Sequence, residues 1–183
     1  GLGIGKNELS SRLNVEKSYI EKILAGGVND WLISAIAKEL DLDAEKLLRS
    51  ARKEWCSALL AINGLKQFNL PFGEMLVNAL VVWDEISKKA WLFDTGPMAE
   101  PILDFLNQES LTVDSIFLTH THRDHIACLD ELRKGSNNPP VYVHELEALD
   151  GCESITECFS YSCGILSLNT LHTHGHALGG MTY

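Results

Sequence analysis

The chain has 183 residues, room for one full domain and a smaller addition at roughly 150 residues per domain. Hydrophobic residues make up 45% and charged residues 22%, a globular balance that excludes disordered, collagen-like and low-complexity classes. A formal charge of −10, from 15 basic and 25 acidic side chains, argues against nucleic-acid binding over most of the surface, and no apolar run is long enough to span a membrane.

The opening Gly1-Leu2-Gly3-Ile4-Gly5-Lys6 has neither the cationic leader nor the long apolar run of a signal peptide. Asn7 stands where a phosphate loop needs Ser or Thr. The missing Met suggests a truncated or cloned start. Five cysteines, at positions 56, 128, 152, 158 and 163, form no CxxC pair. A zinc ribbon is therefore excluded, and reduced thiols in a cytoplasmic protein are expected.

Residues 1–54 hold nine basic and nine acidic side chains, so the whole negative charge lies beyond them. Their apolar residues follow a helical period, with Ile20, Ile23 and Leu24 in one stripe and Leu32, Ile36, Ala37 and Leu40 in another. Helices are expected near 7–13, 16–25, 30–40 and 43–53, with Gly26-Gly27 ending the second and Asp30 capping the third. Glu8–Ile20 resembles the helix-turn-helix of the Cro/C1 repressor family, and Ile36–Asp43 resembles that family's next segment. The second helix would then enter a DNA groove. Glu16 and Glu21 on that helix favour instead an all-α bundle used for packing or oligomerisation. Residues 55–66 are assigned to a linker, and the run Gly64–Pro71 is read as part of this connection.

Beyond the linker, residues 67–183 read as strands alternating with helices. Met75–Trp83, Ala90–Phe93, Ser115–Thr119 and Pro140–Val143 are expected strands. Pro97 is expected to open one helix and Asp124 to cap another. The order implies an α/β fold with helices packed on a sheet.

His120-Thr121-His122-Arg123-Asp124-His125 follows the third of these strands directly. Alternate residues of an extended segment point the same way, so His120 and His122 can converge, and a turn brings Asp124 and His125 round. The second cluster, His172, His174 and His176, supplies further imidazoles. Such ligands suit zinc, and also iron or manganese.

Thr119–His125 resembles in full the THxHxDH motif of the metallo-β-lactamase-fold hydrolase superfamily, and Asp94-Thr95-Gly96 is similar to its upstream acidic turn. Gly175-His176 with Gly179-Gly180 is similar to its third motif, with His174 and Ala177 at the less typical positions. Phe72-Gly73, Val77-Asn78-Ala79 and Phe93–Gly96 resemble the opening strands of the glyoxalase-II-like branch. The resemblance implies the N-terminal half of an αββα fold, preceded by the helical bundle. It implies one or two zinc ions, the first held by His120, His122 and His176 and the second by Asp124 and His125. Asp94 would orient the ligand loop, Asp124 would accept a proton from water when not ligating a second metal, and Arg123 and His174 are candidates for substrate contact. The family's bridging aspartate and last histidine do not follow His176 before Tyr183. An incomplete sequence, a weak or inactive enzyme and an open apolar sheet face are expected on that basis.

The resulting expectation is a zinc-dependent hydrolase of a small-molecule ester or thioester, hydroxyacylglutathione-hydrolase-like. The alternatives are a helix-turn-helix regulator with a metal-binding remnant, or an inactive fragment.

Overall fold

The first four helices form where the apolar period and the turn residues place them. In the computed structural model, which describes residues 3–54 and 62–183, they are α1 (Lys6–Arg12), α2 (Lys17–Leu24), α3 (Asp30–Glu39) and α4 (Ala44–Ala51). Ile20, Leu32 and Ile36 form their core, with Leu9, Leu13, Val15, Ile23 and Leu40 packed against it. Leu24, expected in the same stripe, is exposed. Gly26 ends α2 at φ +91°, a conformation that favours glycine. The cap of α3 is Asn29, not Asp30: Asn29 Oδ1 accepts from Leu32 N at 2.9 Å, while Asp30 is the first helical residue and pairs with Arg52. Asp43 caps α4 in the same way, accepting from Lys46 N at 3.0 Å. Among the described residues no helix is long and apolar enough to cross a membrane.

The chain divides into two units, Gly1–Leu60 and Ala61–Tyr183. Most of the expected linker, with Cys56, falls at 55–61, outside the described residues. The part of the expected connection from Leu65 onward is a strand, β1 (Leu65–Phe72), pairing antiparallel with β2 (Met75–Trp83) across a turn at Gly73.

The second unit is built on a six-stranded sheet in the order β1-β2-β3-β4-β5-β6. Strands β1, β2 and β3 (Lys89–Phe93) form an antiparallel meander. From β3 onward, β4 (Thr112–Phe117), β5 (Val141–His144) and β6 (Glu153–Ile155) run parallel. Helix α5 (Glu100–Gln108) connects β3 to β4, and α6 (Arg123–Ile126) with α7 (Leu129–Gly135) connects β4 to β5. Helix α5 starts three residues after Pro97, and Pro101 is the proline in its first turn. Asp124 lies inside α6 rather than capping it, since His122 is the residue before the helix.

Both faces of the sheet are covered. On one, Val81, Leu92, Ile116, Leu118, Val141 and Val143 pack with Ile102 and Leu106 of α5 and Leu129 and Leu132 of α7. The other face is aromatic: Trp91 and Phe117 are buried among Phe93, Tyr142, Phe159, Tyr161 and Tyr183. The hairpin β7 (Ser160–Cys163) and β8 (Leu166–Asn169) contributes Tyr161, Cys163, Leu166 and Leu168 to this layer. Among the described residues the open apolar face expected from the sequence is therefore covered, with Phe117 fully buried. A last short ladder joins β9 (Leu171–His172) to β10 (Met181–Thr182), and the loop between them carries His174 and His176.

Candidate metal centre

In an open α/β sheet the carboxyl ends of the parallel strands are where loops converge and ligands bind. Four segments meet there in this chain. They are Asp94-Thr95-Gly96 after β3, Thr119–His125 after β4, Glu145–Glu147 after β5, and the β9–β10 loop.

Asp94 anchors the first two segments. It is 5% exposed and holds a positive φ of 56°, a conformation that short polar residues tolerate better than most. Its Oδ1 accepts from Thr119 N at 2.7 Å, and its Oδ2 accepts from Thr119 Oγ1 at 2.8 Å and from His125 Nδ1 at 2.8 Å. The turn also grips the His125 carbonyl, which accepts from Thr95 N, Thr95 Oγ1 and Gly96 N.

These bonds fix the proton positions around His120. The Thr119 hydroxyl has one proton, and a carboxylate can only accept, so that proton goes to Asp94. The Thr119 oxygen, 3.0 Å from His120 Nδ1, must then accept from an Nδ1–H. His120 Nε2 is left with a lone pair, and this atom is buried without any hydrogen-bond partner. Burial, reinforced by the neighbouring His125, pushes His120 below the ordinary histidine value against the pull of Asp94. Burial and the neighbouring imidazole thus both favour the neutral ring. His125 moves the other way, because its bond to Asp94 outweighs burial.

His120, His122 and His176 come together as a triad whose ligand atoms all lie within 4.8 Å of one another. His122 Nδ1 and His176 Nε2 face each other at 2.9 Å. These two rings are exposed, so the triad opens on one side. The orphaned Nε2 and three converging imidazole nitrogens fit a divalent metal ion of the zinc, iron or manganese type.

Of the other expected residues, His125 and then Asp124 lie beside the triad. The ring of His125 is 4.2 Å from that of His120, and its Nε2 is 3.5 Å from Asp124 Oδ2. Asp124 and His125 line a cleft with Met75, Leu76, Val77 and Phe93, an apolar wall that the sequence did not disclose. Arg123 is exposed at the start of α6. His174 is exposed, its ring 5.2 Å from that of His172. His172 in turn stacks on His144, the histidine outside both sequence clusters.

Glu147 was missed altogether. It accepts from both Thr121 N and Thr121 Oγ1 through Oε2, and from Gly179 N at 3.1 Å through Oε1. These bonds keep its carboxyl below the ordinary value although burial opposes them. The one available signal was its position just past the end of the next parallel strand.

Residues 72–151 match the Metallo-beta-lactamase superfamily model. The hydroxyacylglutathione hydrolase of Bdellovibrio bacteriovorus is 32% identical over 106 residues, covering 56% of this chain and 41% of the relative. The probable metallo-hydrolase YqgX of Bacillus subtilis is 29% identical over 140 residues, 65% of each chain. The chain thus spans about two fifths to two thirds of the length of these relatives. Among solved structures, the BLEG-1 B3 metallo-beta-lactamase superposes with a TM-score of 0.55 at 30% identity, covering 64% of this chain and 65% of that one. ETHE1 from Myxococcus xanthus shares the fold, with a TM-score of 0.53 at 24% identity and coverage of 64% and 51%. The parallel strands, the motif loop at their carboxyl ends and these likenesses agree: the second unit has the fold of the metallo-β-lactamase superfamily, whose model residues 72–151 match.

Proposed function

We propose that this chain is a metal-dependent hydrolase, with His120 Nε2, His122 Nδ1 and His176 Nε2 holding the ion. The observation that carries the reading is the buried, unpartnered Nε2 of His120 beside two more imidazole nitrogens. A buried polar atom left without a partner costs about 1–3 kcal/mol, and a cation relieves that cost. Zinc is the proposed metal, with iron and manganese as alternatives. When bound, such an ion supplies Lewis acidity, polarising a carbonyl and acidifying water.

The chain's own residues do the rest. Thr119 and Asp94 hold His120 in the tautomer that offers Nε2. Asp94 also fixes the ring of His125, whose Nε2 faces Asp124. Asp124 with His125 forms the pair assigned to a second ion; when it holds no second ion, Asp124 is assigned as the base that takes a proton from the attacking water. Arg123 and His174, both exposed, are assigned to substrate contact.

The substrate class proposed is a small-molecule thioester. The hydroxyacylglutathione hydrolase likeness supports it, as does the apolar wall of Met75, Leu76, Val77 and Phe93 beside Asp124, which suits the acyl portion. The helical unit is assigned to packing or oligomerisation, in keeping with its equal counts of basic and acidic side chains.

Two measurements on the full chain test the reading. Metal analysis after dialysis should find zinc in the wild type and its loss in the His120→Ala/His122→Ala double variant. Hydrolysis of a generic thioester with added zinc should fall at least a hundredfold in Asp124→Asn, on the order expected for a removed general base. Equal zinc in both proteins would sink the metal assignment.

A further inference from the structure

We propose that Glu147 is a positioning residue that clasps the loop bearing His176 onto the loop bearing His120 and His122. The inference rests on the metal reading above and adds a residue to it.

The geometry is specific. Thr121 sits between the two motif histidines, and both its backbone N and its hydroxyl donate to one carboxylate oxygen of Glu147. The other oxygen accepts from Gly179 N, three residues after His176. One side chain therefore ties two loops whose histidines stand 54 residues apart in sequence and 2.9 Å apart in space.

Gly179 supports the clasp independently. A Cβ there would lie 2.6 Å from Glu147 Cγ and 2.9 Å from His144 Nδ1. Only a residue without a side chain lets the loop backbone come this close to Glu147. Two other tethers at this edge, Met181 N donating to Thr119 O at 2.9 Å and Tyr183 OH donating to Leu118 O at 2.8 Å, hold the end of the loop and the residue beyond it, not the part that carries His176. Glu147 rests on the single 3-10 turn Glu145–Glu147 after β5, where His144 Nδ1 accepts from Leu146 N at 3.2 Å. The carboxylate is thus presented from a braced turn.

A glutamine cannot replace it fully. All three partners are donors, so both oxygens must accept, and an amide turns one acceptor into a donor. Glu147→Gln should release either Thr121 or Gly179 and loosen the triad.

Cobalt(II) is the probe, because its visible absorption reports the ligand geometry directly. The full chain should bind cobalt with a spectrum that depends on His120, His122 and His176. Glu147→Gln should weaken that binding about tenfold, the lower end of the range for groups bonded directly to ligating side chains, because Glu147 holds the ligand loops and not a ligand ring, and should alter the absorption bands. Circular dichroism should be unchanged. Thr121→Val removes only the hydroxyl bond, leaves Thr121 N donating to Glu147 and should weaken binding less; the double variant should lose less than the sum of the two, since both loosen the same clasp. In the metal-free protein, the Gly179 amide resonance should move upfield in Glu147→Gln.

Wild-type affinity and spectrum in Glu147→Gln would overturn the clasp and leave the metal reading intact. A wild type with no histidine-dependent cobalt spectrum would overturn both. Should Glu147→Gln fail to fold, Thr121→Val decides, and unchanged affinity there overturns the clasp.

Discussion

At the scale of single residues, Asp94 joins the turn after β3 to the motif loop through one carboxylate. Three donors converge on its buried carboxylate, two from Thr119 and one from His125. Hydrogen bonds to a charged acceptor contribute about 1.5–3 kcal/mol each, though not additively. Asp94→Ala is expected to destabilise the second unit by about 2–4 kcal/mol in urea denaturation. It should also abolish metal binding, because Thr119 would no longer dictate the tautomer of His120. An unchanged midpoint in urea would show that the three bonds are dispensable.

The motif residues Thr119–His125 were legible in the sequence because alternation after a strand leaves few arrangements for them. Glu147 was not, since nothing local distinguishes it from the neighbouring Glu145, which is exposed. Its role comes from Gly179, 32 residues away.

At the scale of elements, the hairpin β7–β8 is pinned by Asp114 of β4. This carboxylate accepts from Tyr161 OH at 2.9 Å, Ser115 Oγ at 3.1 Å, Trp91 Nε1 at 3.3 Å and Cys163 Sγ at 3.3 Å, and Lys89 Nζ is 3.6 Å away. Burial raises its pKa, but the hydrogen bonds from Cys163, Tyr161, Ser115 and Trp91 overcome that, and the net shift is downward. A lowered carboxyl contributes stability that is present above about pH 4, the unfolded value, and is lost as pH falls through the folded value. Asp114→Asn should therefore lower stability at neutral pH by about 1–3 kcal/mol and flatten the acid limb of the stability curve. A parallel acid limb in the variant would count against it.

The aromatic layer predicts the opposite limb. Burial pushes Tyr142 up to about 12, and Tyr161 and Tyr183 rise for the same reason. Folded values above the unfolded one give stability that is full below about pH 10 and lost as pH rises beyond it. Tyr142→Phe should shift the alkaline midpoint of unfolding upward in a tyrosinate absorbance titration.

These elements were poorly legible in the sequence. Strand β1 contains Lys66, Gln67, Asn69 and Pro71, and so reads as a connection. It is an edge strand, where proline and polar residues are tolerated. Strands β7 and β8 are four residues each and carry Ser160, Ser162, Ser167 and Asn169, too short for a period to show.

At the scale of the whole molecule, the two units carry different charge. The helical one is neutral, and all of the −10 lies in residues 55–183. Helices α1 and α2 are joined by a four-residue turn with Asn14 at φ 51°. Glu16 precedes α2 and Glu21 lies within it, both exposed. Phosphate binding releases counterions in proportion to the positive charges engaged. The full chain is expected to show no salt-dependent affinity for duplex DNA between about 50 and 200 mM salt, the range over which phosphate-binding proteins lose most affinity. A steep slope in a fluorescence anisotropy titration would restore the repressor-like reading.

The distance along the chain between His122 and His176 has a consequence for how the protein is assembled and taken apart. Fifty-four residues separate two side chains that meet, and β5, β6 and the β7–β8 hairpin all lie between them. On the proposed reading an ion held by the triad is a removable staple across that stretch, present only in the finished protein. During synthesis the first two histidines emerge well before the third, so the staple cannot close until that third one appears. A chelator should then act as a denaturant of one unit. At an ion concentration a hundred times its dissociation constant, the loss on chelation would be about 2.7 kcal/mol. Calorimetry with and without chelator should show one transition moving down while the other stays.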